Sequence, residues 1–150
     1  MTVSIKLEKP QTPDVETLLR ESHTLMQALF SPEENHFLSL DELAADNIRL
    51  FIARVDGDAA GSGALKLMSD YGEVKSMYTH RQFRGRGLAD EILKTIIDVA
   101  RKNGLSVLRL ETGDLLHEAQ RLYSRHGFIE RGPFGEYSDN DSSIFLEKLL

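Results

Sequence analysis

Between Tyr71 and Gly104 the chain reads YGEVKSMYTHRQFRGRGLADEILKTIIDVARKNG, and this stretch limits the fold more than any other. Residues 72–79 read as a strand, with Val74, Met77 and Tyr78 supplying apolar or aromatic character around Glu73 and Lys75. A helix follows. Leu88, Ile92 and Ile96 form one i, i+4 row, and Ala89, Leu93, Ile97 and Ala100 form the next. Asp90, Glu91, Lys94, Asp98, Arg101 and Lys102 lie off that stripe, and Asn103-Gly104 is a C-terminal stop. Strand and helix are joined by His80-Arg81-Gln82-Phe83-Arg84-Gly85-Arg86-Gly87. Glycines at a helix start let backbone N–H groups converge on a ligand. The helix dipole adds partial positive charge there, and three arginines add whole charges. Such a loop suits a phosphate or pyrophosphate; the alternative is a tight turn with solvated arginines.

Three antiparallel strands are expected before this unit. Residues 48–55 (IRLFIARV) form a nearly continuous apolar run, as in a sheet covered on both faces. Asp56-Gly57 is a hairpin turn, residues 60–68 return as the partner strand, and Tyr71-Gly72 turns again. Further upstream, residues 3–7 alternate as a short strand. Thr12-Pro13-Asp14 then opens a helix, with Thr12 as hydroxyl cap and Val15, Leu18, Leu19, Leu25, Met26 and Leu29 along its core face. Residues 31–47 are acid-rich, with helix starts at Ser31 and Ser39, and read either as solvated short helices or as a mobile wall presenting carboxylates to an amine. After Gly104, residues 106–112 form a strand parallel to 72–79. Asp114 is expected to cap a helix running to about Arg125, and residues 128–130 and 143–149 close the sheet. Residues 131–142 (RGPFGEYSDNDS) read as a turn-rich loop too polar for core.

Composition narrows the classes of function. A chain of 150 residues makes one domain, able to bury about two-thirds of its unfolded surface. A net charge of −6 argues against broad nucleic-acid or anionic-membrane binding, so the arginine cluster is a local device. Without cysteine there is no disulfide framework, thiolate metal site or cysteine nucleophile. No apolar run approaches membrane-spanning length and the first ten residues lack a signal-peptide core, which makes the cytoplasm the expected compartment. No metal is expected, because His80, His117 and His126 lack a second ligand at metal spacing.

Two motifs together resemble a known family. Arg84-Gly85-Arg86-Gly87-Leu88-Ala89 is similar to the R/Q-x-x-G-x-G/A signature of the GNAT superfamily of acetyl-CoA-dependent N-acetyltransferases. Ala119-Gln120-Arg121-Leu122-Tyr123-Ser124-Arg125-His126-Gly127-Phe128 resembles that superfamily's A-x-x-L-Y-x-x-x-G-F segment, in the expected order and separation. The resemblance covers roughly residues 48–150. It implies an α+β GNAT-type fold: a mostly antiparallel mixed sheet of about six or seven strands with one splayed parallel pair, flanked by about four helices. It also implies acetyl-CoA as donor, a primary amine of a small molecule or peptide as acceptor, direct attack in a ternary complex, and a homodimer through sheet edges.

What the resemblance implies for residues follows from the chemistry of acetyl transfer. The backbone amides of Gly85, Arg86, Gly87 and Leu88, with Ala89 completing the motif, and the side chains of Arg84 and Arg86 would hold the pyrophosphate. Met77, Tyr78 and Thr79 would offer unpaired backbone groups to the pantetheine, one N–H also meeting the carbonyl oxygen as charge develops. A lysine-like amine is only about 0.04% neutral at pH 7, so proton removal costs roughly 4.6 kcal/mol and calls for a base. Glu73 lies six residues before Thr79, on the same face by strand alternation, at the register of the base in the histone-acetylating branch; Glu111 is the competitor. Tyr123 stands where the superfamily's tyrosine serves as general acid to the departing thiolate. Many relatives carry an asparagine that bonds the pantetheine where this chain has Leu116; either another polar group such as Thr112 supplies that bond or it is missing. The loop containing Glu136 and Tyr137 is expected to overhang the acceptor.

Two rivals remain from the residues themselves. A dinucleotide-binding fold would use Gly85-x-Gly87 with Glu111 as its ribose acid, but Asp90 stands where its third glycine belongs and three antiparallel strands precede the loop. A catalytically silent acyl-CoA sensor would keep the pocket and lose turnover.

Overall fold

The computed structural model of the chain describes residues 2–150. Seven strands form one sheet: β1 (Val3–Leu7), β2 (Ile48–Val55), β3 (Asp58–Leu67), β4 (Gly72–Thr79), β5 (Val107–Gly113), β6 (Ile129–Arg131) and β7 (Ser143–Leu149). Their order is β1-β2-β3-β4-β5-β7-β6, and every neighbouring pair is antiparallel except β4 with β5. Four α-helices, α1 (Pro13–Leu29), α2 (Leu40–Leu43), α3 (Leu88–Lys102) and α4 (His117–Arg125), complete the mixed α+β architecture expected from the sequence.

The helices divide the core in two. Ile92, Leu93, Ile96 and Ile97 of α3, with Leu122 and Tyr123 of α4, bury one sheet face against Phe51, Leu65, Val74, Leu108 and Leu110. On the other face Val15, Leu18 and Leu19 of α1 and Leu43 of α2 meet Leu50, Ile52 and Ala64. The 3.6-residue period of each helix turns a stripe toward the sheet, and removing those side chains from water is the main stabilising contribution. A third, smaller cluster joins Tyr71, Val107, Phe134 and Phe145.

Several local expectations need correction. Thr12 is the N-cap of α1 but its hydroxyl makes no capping bond, and Leu29 at the other end is exposed because the chain turns away at Phe30. Asp114 does not cap α4. Its N–H extends the β5 pairing to the Ser142 carbonyl at 2.9 Å, and Gln120 Nε2 occupies the Gly113 and Asp114 carbonyls, so the helix starts at His117. Phe128 packs onto Tyr123 rather than opening β6, which begins at Ile129. The loop 131–142 is not wholly polar, since Phe134 is buried in the third cluster with Tyr137 packed against it.

Two irregularities of β4 position the site. It pairs with β5 only at Gly72↔Leu108 and Glu73↔Arg109; beyond these the strands diverge, leaving residues 74–79 without a β5 partner. On its β3 side the register slips by one residue between Ser62↔Tyr78 and Ala64↔Lys75, so Gly63 opposes both Ser76 and Met77. Ser76 takes φ +57°, and the Ser62 hydroxyl donates to its carbonyl at 2.7 Å. This is a β-bulge, and it changes the side-chain phase of the strand. Val74 and Met77, three residues apart, now pack on the α3 side, whereas Tyr78 packs on the α1 side. The alternation that placed Glu73 and Thr79 on one face is therefore broken, and Glu73 shares its face with Tyr78.

Candidate active site

The arginine–glycine turn ends β4 and starts α3. His80 Nδ1 accepts from Gln82 N–H at 3.1 Å, capping a 3-10 turn at Arg81–Phe83. Gly85 and Gly87 then take φ +79° and +78°, and a Cβ at either would meet nothing within 4 Å. Glycine serves here for its left-handed backbone and for the open space beside it. No side chain caps α3 at Gly87, so the first N–H groups of a fifteen-residue helix face outward for a ligand. Arg84 folds back: its Nε donates to the Thr79 carbonyl at 3.1 Å and its guanidinium lies 5.9 Å from the Tyr78 ring centre. Arg86 lies over Phe83 at 5.3 Å.

Where β4 and β5 part, a cavity of about 110 Å³ opens. Val74, Lys75, Ser76 and Met77 line it from β4, Glu111, Thr112 and Gly113 from β5, and Leu116, Ala119 and Tyr123 from the α4 side. Ser22, His23, Met26, Phe30 and residues 34–37 close the far wall with Ser142. Phe30 presses so closely on Gly113 that a Cβ there would lie 2.1 Å from the ring. Ser76 Oγ is buried with no hydrogen-bond partner among the described residues, a polar atom at the cavity wall that a bound molecule can satisfy.

Two carboxylates flank this cavity in different states. Glu73, 5% exposed, accepts from the Tyr137 hydroxyl at 2.5 Å and lies 3.4 Å from Lys75 Nζ. Lys75 Nζ also donates to the Tyr137 hydroxyl at 2.7 Å and to the His36 carbonyl at 2.9 Å. Glu73 is thus spoken for and is not among the residues lining the cavity. Glu111 lines it, and its one side-chain donor is the Ser143 hydroxyl at 2.7 Å. Burial, reinforced by the like charge of Glu73, pushes the Glu111 carboxyl above the ordinary range, against the pull of Ser143, His36 and Lys75. Burial first, and the Glu111 charge second, also raise the Tyr123 phenol well above its usual value. Burial and then Glu73 do the same for Tyr137.

The sequence-predicted residues therefore fall into groups. Met77, Thr112, Glu111 and Tyr123 meet in one cavity, with Leu116 presenting an apolar wall where an asparagine was the alternative. Tyr78 and Thr79 continue the unpaired strand toward Arg84, Gly85, Arg86, Gly87, Leu88 and Ala89. Leu88 itself is buried. Glu136 is exposed and outside the cavity, whereas Tyr137 is bound into the Glu73–Lys75 cluster. Lys75, Ser76, His36 and Phe30 were missed. For Lys75 the available signal was a lone cation between Glu73 and an apolar strand end. No group of His, Asp and Glu among the described residues is arranged to hold a metal ion, and no helix is long and apolar enough to cross a membrane.

The overall fold is shared with known acetyltransferases. Residues 13–128 match the model of the acetyltransferase (GNAT) family. A protein of Azospirillum brasilense named IAA acetyltransferase is 40% identical over 152 residues, covering 99% of this chain and 98% of that one. The crystal structure of a putative acyl-CoA N-acyltransferase from Klebsiella pneumoniae superposes with TM-score 0.82 at 29% identity, covering 99% and 97% of the two chains. PaiA N-acetyltransferase from Thermoplasma acidophilum, solved with coenzyme A, shares the fold at TM-score 0.75 and 18% identity over the full length of both chains. The chain belongs to the GNAT family of acetyltransferases. The dinucleotide-binding alternative is thereby set aside.

Proposed function

We propose that the protein transfers the acetyl group of acetyl-CoA to a primary amine by direct attack, with Glu111 as base and Tyr123 as donor to the departing sulfur. Acetyl-CoA, the donor of this family, supplies an activated acyl thioester. The residues present suit it: the left-handed glycine turn and uncapped helix start fit its diphosphate, and the unpaired edge of β4 fits its amide-bearing arm. The observation that carries the reading is that Glu111, Tyr123 and the orphaned Ser76 hydroxyl converge on one cavity at the divergence of β4 and β5.

In this reading Glu111 takes a proton from the acceptor ammonium, freeing the nitrogen lone pair. The N–C bond forms as the C–S bond breaks, the sulfur leaves with the electron pair, and the second proton of the attacking nitrogen passes to that sulfur, giving an uncharged amide and the free thiol. Backbone N–H groups of β4 near the bulge receive the carbonyl oxygen while it carries charge. Tyr123 stays protonated throughout the physiological range, so its hydroxyl is always a donor. A thiol titrates near 8.5 and an ordinary phenol near 10, so full proton transfer to the thiolate would run uphill by about 2 kcal/mol or more. Tyr123 is better suited to stabilise the departing sulfur by a strong hydrogen bond than to give up its proton outright. Glu73 supports the base indirectly, as the like charge that helps keep Glu111 protonatable.

The test is thiol release from acetyl-CoA by the purified protein across a panel of primary amines. Acceptor-dependent release is expected. No release above the acceptor-free rate with any amine, while acetyl-CoA still raises the melting temperature, would leave a silent acyl-CoA binder.

A further inference from the structure

The cavity wall also carries information about which amine is used. Lys75 is the only lysine or arginine lining it among the described residues, and its side chain is 9% exposed. Its ammonium has three partners: it donates to the His36 carbonyl and the Tyr137 hydroxyl and forms an ion pair with the Glu73 carboxylate at 3.4 Å. The two imidazoles on the wall both pack against aromatic rings. His23 is stacked on Phe37 at 4.3 Å and burial pushes it down, toward the neutral form; His36 stands edge-on to Tyr137 at 5.3 Å. Glu111, by contrast, has the Ser143 hydroxyl and no salt bridge among the described residues, and Glu34 also lines the cavity, its carboxylate accepting from Ser31 N–H. The buried Glu73 thus holds the Lys75 ammonium, and the half-buried Glu111 has no ion-pair partner among the described residues. Met26, Phe30, Phe37 and Leu116 give the wall its apolar part, beside the uncharged polar groups of Ser22, Asn35, Ser76, Thr112 and Ser142.

From this charge count we infer that the acceptor is a cationic amine on an apolar body with no carboxylate beside the nitrogen, so that simple amines are preferred over the matching α-amino acids. The inference rests on the amine-acetylating reading above and adds the acceptor's chemical class. An acceptor ammonium supplies the counter-ion that Glu111 lacks. An acceptor carboxylate, held within two bonds of that ammonium, would face Glu111 and compete with it for the charges of Lys75 and His36. It would have to strip Lys75 from three partners or remain buried and unpaired.

The experiment compares kcat/KM for matched probes, 2-phenylethylamine against phenylalanine, with phenylalaninamide as a control that keeps the bulk and removes the charge. The amine is expected to exceed the amino acid by at least about 30-fold, with the amide recovering most of the difference. Glu73→Gln withdraws the counter-charge from Lys75 and should cut the amine-to-amino-acid ratio at least about threefold; Tyr137→Phe, which removes another partner, serves as the second variant. A ratio near one, or preference for the amino acid, overturns the inference and leaves acetyl transfer to amines standing. A ratio unmoved in both folded variants overturns the role given to Lys75. If none of the probes nor any other amine releases thiol while acetyl-CoA still stabilises the protein, the amine reading itself falls, and this inference with it.

Discussion

The donor side and the acceptor side of the cleft are built on opposite plans. In the proposed reading the donor side is one contiguous segment, residues 77–89, and it works through backbone: two left-handed glycines, a helix start without a side-chain cap and a strand edge with no β5 partner. The acceptor side is assembled from five separated segments, around residues 22–30, 34–37, 74–77, 111–113 and 142, and it works through buried side chains. A backbone site recognises a molecule every family member shares, so it tolerates variation in side chains. A side-chain site can be retuned one residue at a time. Substitutions on the two sides should therefore separate cleanly in KM for donor and acceptor.

The largest effect is expected from Glu111→Gln, about a thousandfold loss in kcat/KM for the acceptor with acetyl-CoA affinity unchanged. In the unaltered enzyme the acidic limb of the pH–rate profile should lie above the ordinary carboxylate value of 4.5, because burial raises Glu111. A limb that survives in the variant would move the base role to Glu73. Tyr123→Phe should lower kcat roughly a hundredfold and leave the KM for acetyl-CoA within about twofold; equal turnover would remove Tyr123 from the mechanism. Gly87→Val asks a β-branched residue to hold φ +78° and should raise the KM for acetyl-CoA about tenfold, with the acceptor KM unmoved. A matching rise in both constants would blur the division between the two sides.

The smallest effect is on stability, and its sign is diagnostic. Glu111 binds its proton more tightly folded than unfolded, so it favours the fold most at low pH. That contribution is lost as pH rises from the ordinary carboxylate value through the raised one. Glu111→Gln should then be the more stable protein at pH 8, by about 2–4 °C for each kcal/mol relieved, with little difference near pH 4. A lower melting temperature at pH 8 would show that Glu111 contributes to stability rather than costing it.

The donor side was legible in the sequence because its determinants are local. Gly85, Gly87 and the 3.6-residue rows of α3 announce themselves within twenty residues, and the strand on either side follows. The acceptor side was legible only in part. Glu111, Thr112 and Tyr123 were named, yet the partnership of Glu73, Lys75 and Tyr137 spans more than sixty residues and leaves no periodic trace. The aromatic pair Phe134 and Tyr137, three residues apart in a polar loop, was the overlooked sign that this loop reaches the interior. Nothing in GEVKSMYT reports a left-handed serine. Val74 and Met77 at an odd spacing, opposite a run of small residues, were the only hints that alternation would fail.

That failure has a consequence for how the strand can change. A Cβ on Gly63 would stand 2.4 Å from Ile92 Cγ2 and 2.6 Å from Met77 Sδ, so the residue opposite Ser76 is held to glycine by crowding from two directions. Like a splice in a two-colour cord, the extra residue lets one end of β4 show its charged threads to the acceptor while the other end shows plain backbone to the donor. Ironing the bulge flat, with Ser76 paired regularly to Gly63, would swap the colours from that point onward, driving Met77 out of the α3 core and carrying the whole hand-over between the two substrates out of register.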